Sequence, residues 1–116
     1  MLTKDQQQNI AWHSIELDQE ELVTISSKHL SDSGTAFCIY PVRESELFEN
    51  LTAKQDLHLC YKLNIKNRKH DSAFRIVTGF GKKNVNIREE QLIIRKDDEA
   101  YTQQFKMLLK DFYLAF

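Results

Sequence analysis

A chain of 116 residues with 41% hydrophobic and 28% charged side chains has the balance of one soluble globular domain with its own core, which excludes a disordered chain or a small disulfide-stapled scaffold. Its formal net charge of −1 supplies no global field for nucleic acid or an anionic membrane, so any anion site has to be local. No apolar run has the length of a signal sequence or a membrane span.

In chain order, Asp18 with Glu21 resembles a capping signal, and Leu22, Ile25 or Ser26, and His29 or Leu30 recur at helical spacing, which predicts a helix over about 18–30. Ser31-Asp32-Ser33-Gly34 breaks that pattern with turn formers. The run 35–43, TAFCIYPVR, reads as a buried strand, with Pro41 hinting at an edge or a bulge. The following ESELFENLTAKQ, 44–55, reads as a loop holding one helical turn. Leu57, Leu59, Tyr61, Leu63 and Ile65 alternate on one face, the cleanest strand signal in the chain. The basic turn NRKHDS, 67–72, leads into a second long strand, AFRIVTGF, and shorter strands are predicted around 85–87 and 92–95. Asp97, Asp98 and Glu99 suit the positive end of a last helix, in which Tyr101, Phe105, Leu108 and Phe112 form one apolar stripe. Two amphipathic helices against one sheet make an α+β sandwich, a central antiparallel sheet flanked by two helices within a single domain over 1–116. Cys38 and Cys60 lie in apolar stretches without metal or redox spacing and read as buried reduced thiols.

Several stretches together resemble the Src-homology-2 family of phosphotyrosine-binding domains. Trp12-His13 precedes the predicted first helix at family-like spacing. YPVRES at 40–45 keeps Val42, Arg43, Glu44 and Ser45 of the family's arginine motif. Phe74-Arg75-Ile76 resembles its aromatic–basic–aliphatic run, and Phe105, Leu108 and Tyr113 satisfy its second-helix pattern. The sequence departs from the family at Gln19 and Ala73, where basic residues are usual, and at Pro41; an alternative alignment puts Tyr40 in place of Arg43.

The resemblance implies a non-catalytic module that binds a tyrosine-phosphorylated protein or peptide, as a cytoplasmic signalling adaptor or as a pathogen effector in the host cytosol. Arg43 would grip the phosphate as a fork, within the motif that also carries Glu44. Ser45 would add a hydroxyl, Arg75 would flank the aromatic ring or contact phosphate, and Lys62 is a weaker contact. Taken without the resemblance, Arg43 is an ordinary solvated residue after a strand and Arg75 the exposed alternate of a half-buried strand. The remaining expectations are no cofactor, no metal, no nucleic acid, no membrane span and a monomer. The main alternative is a different α+β interaction domain, a pleckstrin-like lipid or protein binder using the basic turn. A third class, a nucleic-acid binder working through that turn, would show steep salt dependence. His13, His29, His58 and His70 show no metal or catalytic spacing, and TGFGKKN lacks the arrangement of a phosphate-cradling loop.

Overall fold

A computed structural model describes residues 3–112. Its order is α1 (Lys4–His29), β1 (Thr35–Pro41), α2 (Val42–Lys54), β2 (His58–Lys66), β3 (Arg75–Gly81), β4 (Arg88–Ile93) and α3 (Gln103–Phe112). The class is α+β, as expected, but three helices replace two. The sheet is mixed rather than purely antiparallel. Its order is β1-β3-β2-β4, with β3 antiparallel to both neighbours and β4 parallel to β2. That geometry follows from the connection 82–87, which carries the chain past β2 and starts β4 at the same end as β2.

The first helix starts far earlier than its apolar pattern announces. Thr3 caps it by accepting from the Gln6 backbone amide at 3.1 Å, while the Gln6 side chain accepts from the Thr3 amide at 2.8 Å. This reciprocal pair satisfies two otherwise orphaned donors. The helix buries only Gln19, Val23 and Ser26, all in its second half. The stretch read as a loop after YPVR is instead the 13-residue helix α2. Pro41 lacks an N–H to lose, so the strand can pass into a helix there, and Glu44 complements the positive first turn.

Val23, Phe48, Leu51, Leu57 and Phe80 form the core between α1, α2 and one face of the sheet. Phe48 is fully buried, its ring centroid 5.1 Å from Phe80 and 5.5 Å from Tyr40. Cys38 and Cys60 are free thiols. Burial pushes the Cys38 thiol up to about 11, so at neutral pH it is a protonated packing group rather than a nucleophile.

The alternation in β2 does not keep one face. A bulge between Leu59 and Tyr61 sets Leu59 opposite Phe80, on the helix-covered face. Tyr61, Leu63 and Ile65 then stand opposite Gly79, Val77 and Arg75, on the other face. One inserted residue therefore turns three of the five predicted core positions away from the helices. Beside β4, α3 begins after Thr102, whose hydroxyl accepts from the Phe105 amide at 3.1 Å. Asp97, Asp98 and Glu99 lie in the turn before it rather than in its first turn. Tyr113 of the predicted helix pattern lies outside the described residues, as does the side chain of Phe112. Among the described residues no helix is long and apolar enough to cross a membrane, and no cluster of His, Cys, Asp or Glu is arranged to hold a metal ion.

Candidate functional site

The five residues singled out in the sequence do not converge on one pocket. Arg43 stands in the first turn of α2, not at a strand end, and is exposed with its guanidinium carbon 4.4 Å from the centre of the Trp12 ring. Glu44 offers its backbone carbonyl to the Gln19 amide nitrogen at 2.9 Å, tying α2 to α1. Ser45 is turned the opposite way from Arg43 and is buried in the packed interior. Lys62 lies on the covered face of β2 and pairs with Glu49 of α2 at 3.0 Å. Arg75 is exposed at the start of β3, donating to the Phe74 carbonyl at 2.9 Å. Helical geometry separates Arg43 from Ser45, because neighbours two apart on a helix face different ways.

What the register does assemble is a row of cations along one end of the sheet. β1, β2 and β4 run in the same direction, so their carboxyl ends lie together, with the start of β3 among them. Pro41, Arg75, Ile65 and Leu92 form one level across all four strands. Past that level come Arg43 after β1, Phe74 before β3, Lys66 to Lys69 after β2, and Arg95 and Lys96 after β4. At about 4.8 Å per strand, the row extends on the order of 15 Å. In open α/β sheets this is the end at which ligands are taken.

Three arginines of this row lie over aromatic rings. Arg43 covers Trp12, Arg75 sits 5.9 Å from the Phe74 centroid, and Arg95 sits 4.7 Å from that of Tyr101. Phe74 and Tyr101 are each 43% exposed, so these rings retain free surface for stacking. Arg95 also donates to the Glu99 carbonyl at 3.2 Å, and Arg68 pairs with the Glu99 carboxylate. A groove of about 550 Å³ opens beside this end, with Lys69, Arg95, Lys96, Asp98, Thr102 and Gln104 in its wall. Its floor is fixed by the Gln104 side chain, which bridges the Gln91 carbonyl at 2.9 Å and the Ile93 amide at 3.3 Å. The sequence alone puts Trp12 ahead of the predicted first helix, Arg95 in a short strand and Tyr101 in the apolar stripe of the last helix, with no signal that any of them shares a surface. The adjacency Phe74-Arg75 was the available signal; the Arg95–Tyr101 pair forms only when the β4–α3 turn closes through the Arg95–Tyr101 bridge.

No family model matches the chain. Curated relatives do. The chain is 32% identical to the tRNA1(Val) (adenine(37)-N6)-methyltransferase of Dyadobacter fermentans over 100% of its own length and 50% of that protein. It is 32% identical to the enzyme of the same name from Trichodesmium erythraeum, over 92% of the chain and 45% of the relative. A third, from Photorhabdus laumondii, is 27% identical over 86% of the chain and 41% of the relative. The chain thus spans about half the length of the curated relatives it matches.

These likenesses overturn the Src-homology-2 resemblance and what it implied. Proteins similar along nearly the whole chain are named for methyl transfer to tRNA, not for phosphotyrosine recognition. The expectations of a non-catalytic signalling adaptor or effector, of a phosphotyrosine partner and of no nucleic-acid partner are corrected accordingly. The pleckstrin-like alternative and the host-cytosol setting gain no support either. The YPVRES stretch holds four identities and straddles a strand-to-helix junction, whereas the likeness to the methyltransferases extends across every element described above.

Proposed function

We propose that this chain acts in N6-methylation of adenine in tRNA, as part of an enzyme of the kind that its curated relatives represent. The observation that carries this reading is the 32% identity to the Dyadobacter fermentans enzyme across the full chain. The charged end of the sheet is the surface that this function would turn toward RNA. Guanidinium groups meet phosphate oxygens in a fork, and aromatic faces stack on unpaired bases, the combination by which single-stranded loops of RNA are held. Arg75 with Phe74 and Arg95 with Tyr101 offer both groups side by side. Arg43 and Arg75 thus keep an anion-binding role, now toward the RNA backbone.

The reaction requires a methyl donor. Two of the polar side chains at the groove are already engaged, Arg95 with Glu99 and Gln104 with the β4 backbone. The buried polar atoms without a partner among the described residues, Gln19 Oε1, Ser45 Oγ and Thr78 Oγ1, belong to the packed interior rather than to the groove wall. These residues do not make a donor site, and no chemical step is assigned to them. Their contribution is to bind and orient RNA.

The test is a chimera in which this chain replaces the matched half of the Dyadobacter fermentans enzyme, assayed for methyl transfer to tRNA. It should methylate. Arg75→Glu with Arg95→Glu in that chimera should weaken tRNA binding by about tenfold or more at 0.1 M salt and reduce the salt dependence by about two phosphate contacts. Filter binding across a salt series reads this directly, with Lys83→Glu, at the opposite end of the sheet, as the control. Equal losses from both variants would remove this end of the sheet from the RNA interface.

A further inference from the structure

Among the described residues, two that are not glycine hold a left-handed backbone, Asp56 at φ 57° and Glu99 at φ 68°. Asp56 directly follows the C-cap of α2, where a left-handed residue commonly closes a helix, and aspartate tolerates that region. Glu99 has neither reason. It sits in the turn between β4 and α3, where glycine or asparagine would take the same conformation at less cost. Hydrogen bonds hold that turn closed. The Lys96 amide donates to the Ala100 carbonyl at 2.7 Å, the Glu99 amide to the Lys96 carbonyl at 3.0 Å, and the Ala100 amide to the Asp98 carboxylate at 3.1 Å.

What glutamate supplies at this position is a carboxylate set against the cationic end of the sheet. The Arg95 amide donates to the Asn67 carbonyl at 2.7 Å, which stitches this turn to the one after β2 and brings Arg68 alongside Arg95. Arg68 pairs with the Glu99 carboxylate, and Arg95 donates to the Glu99 carbonyl at 3.2 Å. One strained residue thus engages two guanidinium groups of the cationic row. The pair is open to water, with side-chain exposures of 36% at Arg68 and 61% at Glu99. Exposed ion pairs are weak, whereas a phosphate offers the same guanidinium a forked, charge-assisted contact. An arriving phosphate can therefore replace the carboxylate, which has room to swing into solvent.

We infer that Glu99 is a built-in competitor for phosphate at Arg68, an autoinhibitory contact that a phosphate-bearing ligand displaces before it is held at this end of the sheet. Until then the carboxylate neutralises Arg68, so a passing polyanion gains less from this end than its arginines would otherwise give. The ligand chemistry is the phosphate group. That the group belongs to an RNA backbone rests on the proposed function, and a free polyphosphate is the other source.

The test titrates the full chain with a fluorescent oligouridylate and, separately, with inorganic tripolyphosphate, each across a salt series. Glu99→Gln should tighten the binding of both by about two- to fivefold at about 0.1 M salt, the size expected of one exposed pair. It should also steepen the salt dependence of oligouridylate binding by up to about 0.7 in log Kd against log salt, one further phosphate's worth of counterions. A role confined to shaping the turn would not steepen that slope. Glu99→Gly, which suits the left-handed backbone, should reproduce the gain, and an added Arg68→Gln should abolish it in either variant. Asp97→Asn, which removes the same charge two residues away, should give a clearly smaller gain. Equal gains from Glu99→Gln and Asp97→Asn would reduce the effect to net charge and overturn the inference. A gain from Glu99→Gly alone would assign it to backbone relief and overturn it too, as would unchanged, weakened or unmeasurable binding of both probes by the Glu99 variants. A gain for tripolyphosphate without one for oligouridylate keeps Glu99 as the competitor and removes RNA from this end of the sheet. Oligouridylate binding that Arg75→Glu with Arg95→Glu weakens, but that neither Glu99 variant alters, does the reverse.

Discussion

Phe48→Ala should destabilise the fold by about 3–5 kcal/mol, the usual cost of removing a fully buried aromatic from a packed core. Phe48 is 0% exposed and packs where α2, β1 and β3 meet. Its ring touches Tyr40 of β1 and Phe80 of β3 from its place on α2. The truncation leaves a cavity that the sheet cannot close, because β1 and β3 are fixed to each other by seven paired positions. Domains are stable by only about 5–15 kcal/mol. The variant should therefore be largely unfolded at temperatures the parent tolerates, as urea denaturation followed by circular dichroism would show. Phe37→Ala, at a ring 62% exposed, should cost under about 1 kcal/mol in the chain alone. Comparable losses from the two would mean that the core and the open face have been assigned the wrong way round.

Gly81→Val should be nearly as damaging, for a backbone reason. A Cβ on Gly81 would lie 2.6 Å from the carbonyl oxygen of Gly34. That oxygen belongs to the chain entering β1, so no side-chain rotation relieves the clash. Thr35 and His58 are the paired neighbours of Gly81 on either side, so movement at this point pulls on both flanking strands. Overpacking of this kind costs about 1–3 kcal/mol, and valine, branched at that carbon, should reach the upper end. The same denaturation measurement applies, and a midpoint within error of the parent would show that the turn at 31–34 can move aside.

The two central strands were legible because alternation of large apolar residues survives in any sequence that forms a half-buried strand. The start of the first helix was not. Residues 4–11, KDQQQNIA, are polar almost all round, and the structure leaves them exposed, so no stripe marks the helix before Gln19. The arginine motif misled for a different reason. Four consecutive identities carry no information about conformation, and Pro41 permits a strand to end and a helix to begin in one step. The bulge at Leu59–Tyr61 was invisible because alternation in the sequence looks the same whether or not one residue is extra. As a result, residues facing the open side were counted as core.

The candidate site was legible only in fragments. Arg43 and Arg75 stand out in the sequence as members of one anion site, though a phosphotyrosine pocket, and 67–72 as a basic turn. Their common placement depends on the strand order, which brings residues far apart in sequence to one end of the sheet. No short motif carries the function either. The likeness to the methyltransferases is spread thinly over the chain, so a reading that weighs local identities passes over it.

The account turns on whether this chain can take the place of its counterpart in a working enzyme. tRNA purified from cells that lack their own adenine-37 methyltransferase, but carry the chimera of this chain with the unmatched half of the Dyadobacter fermentans protein, is digested and analysed by mass spectrometry. The account predicts N6-methyladenine at the position that the relatives are named for. A folded, expressed chimera that leaves that adenine unmodified would contradict it.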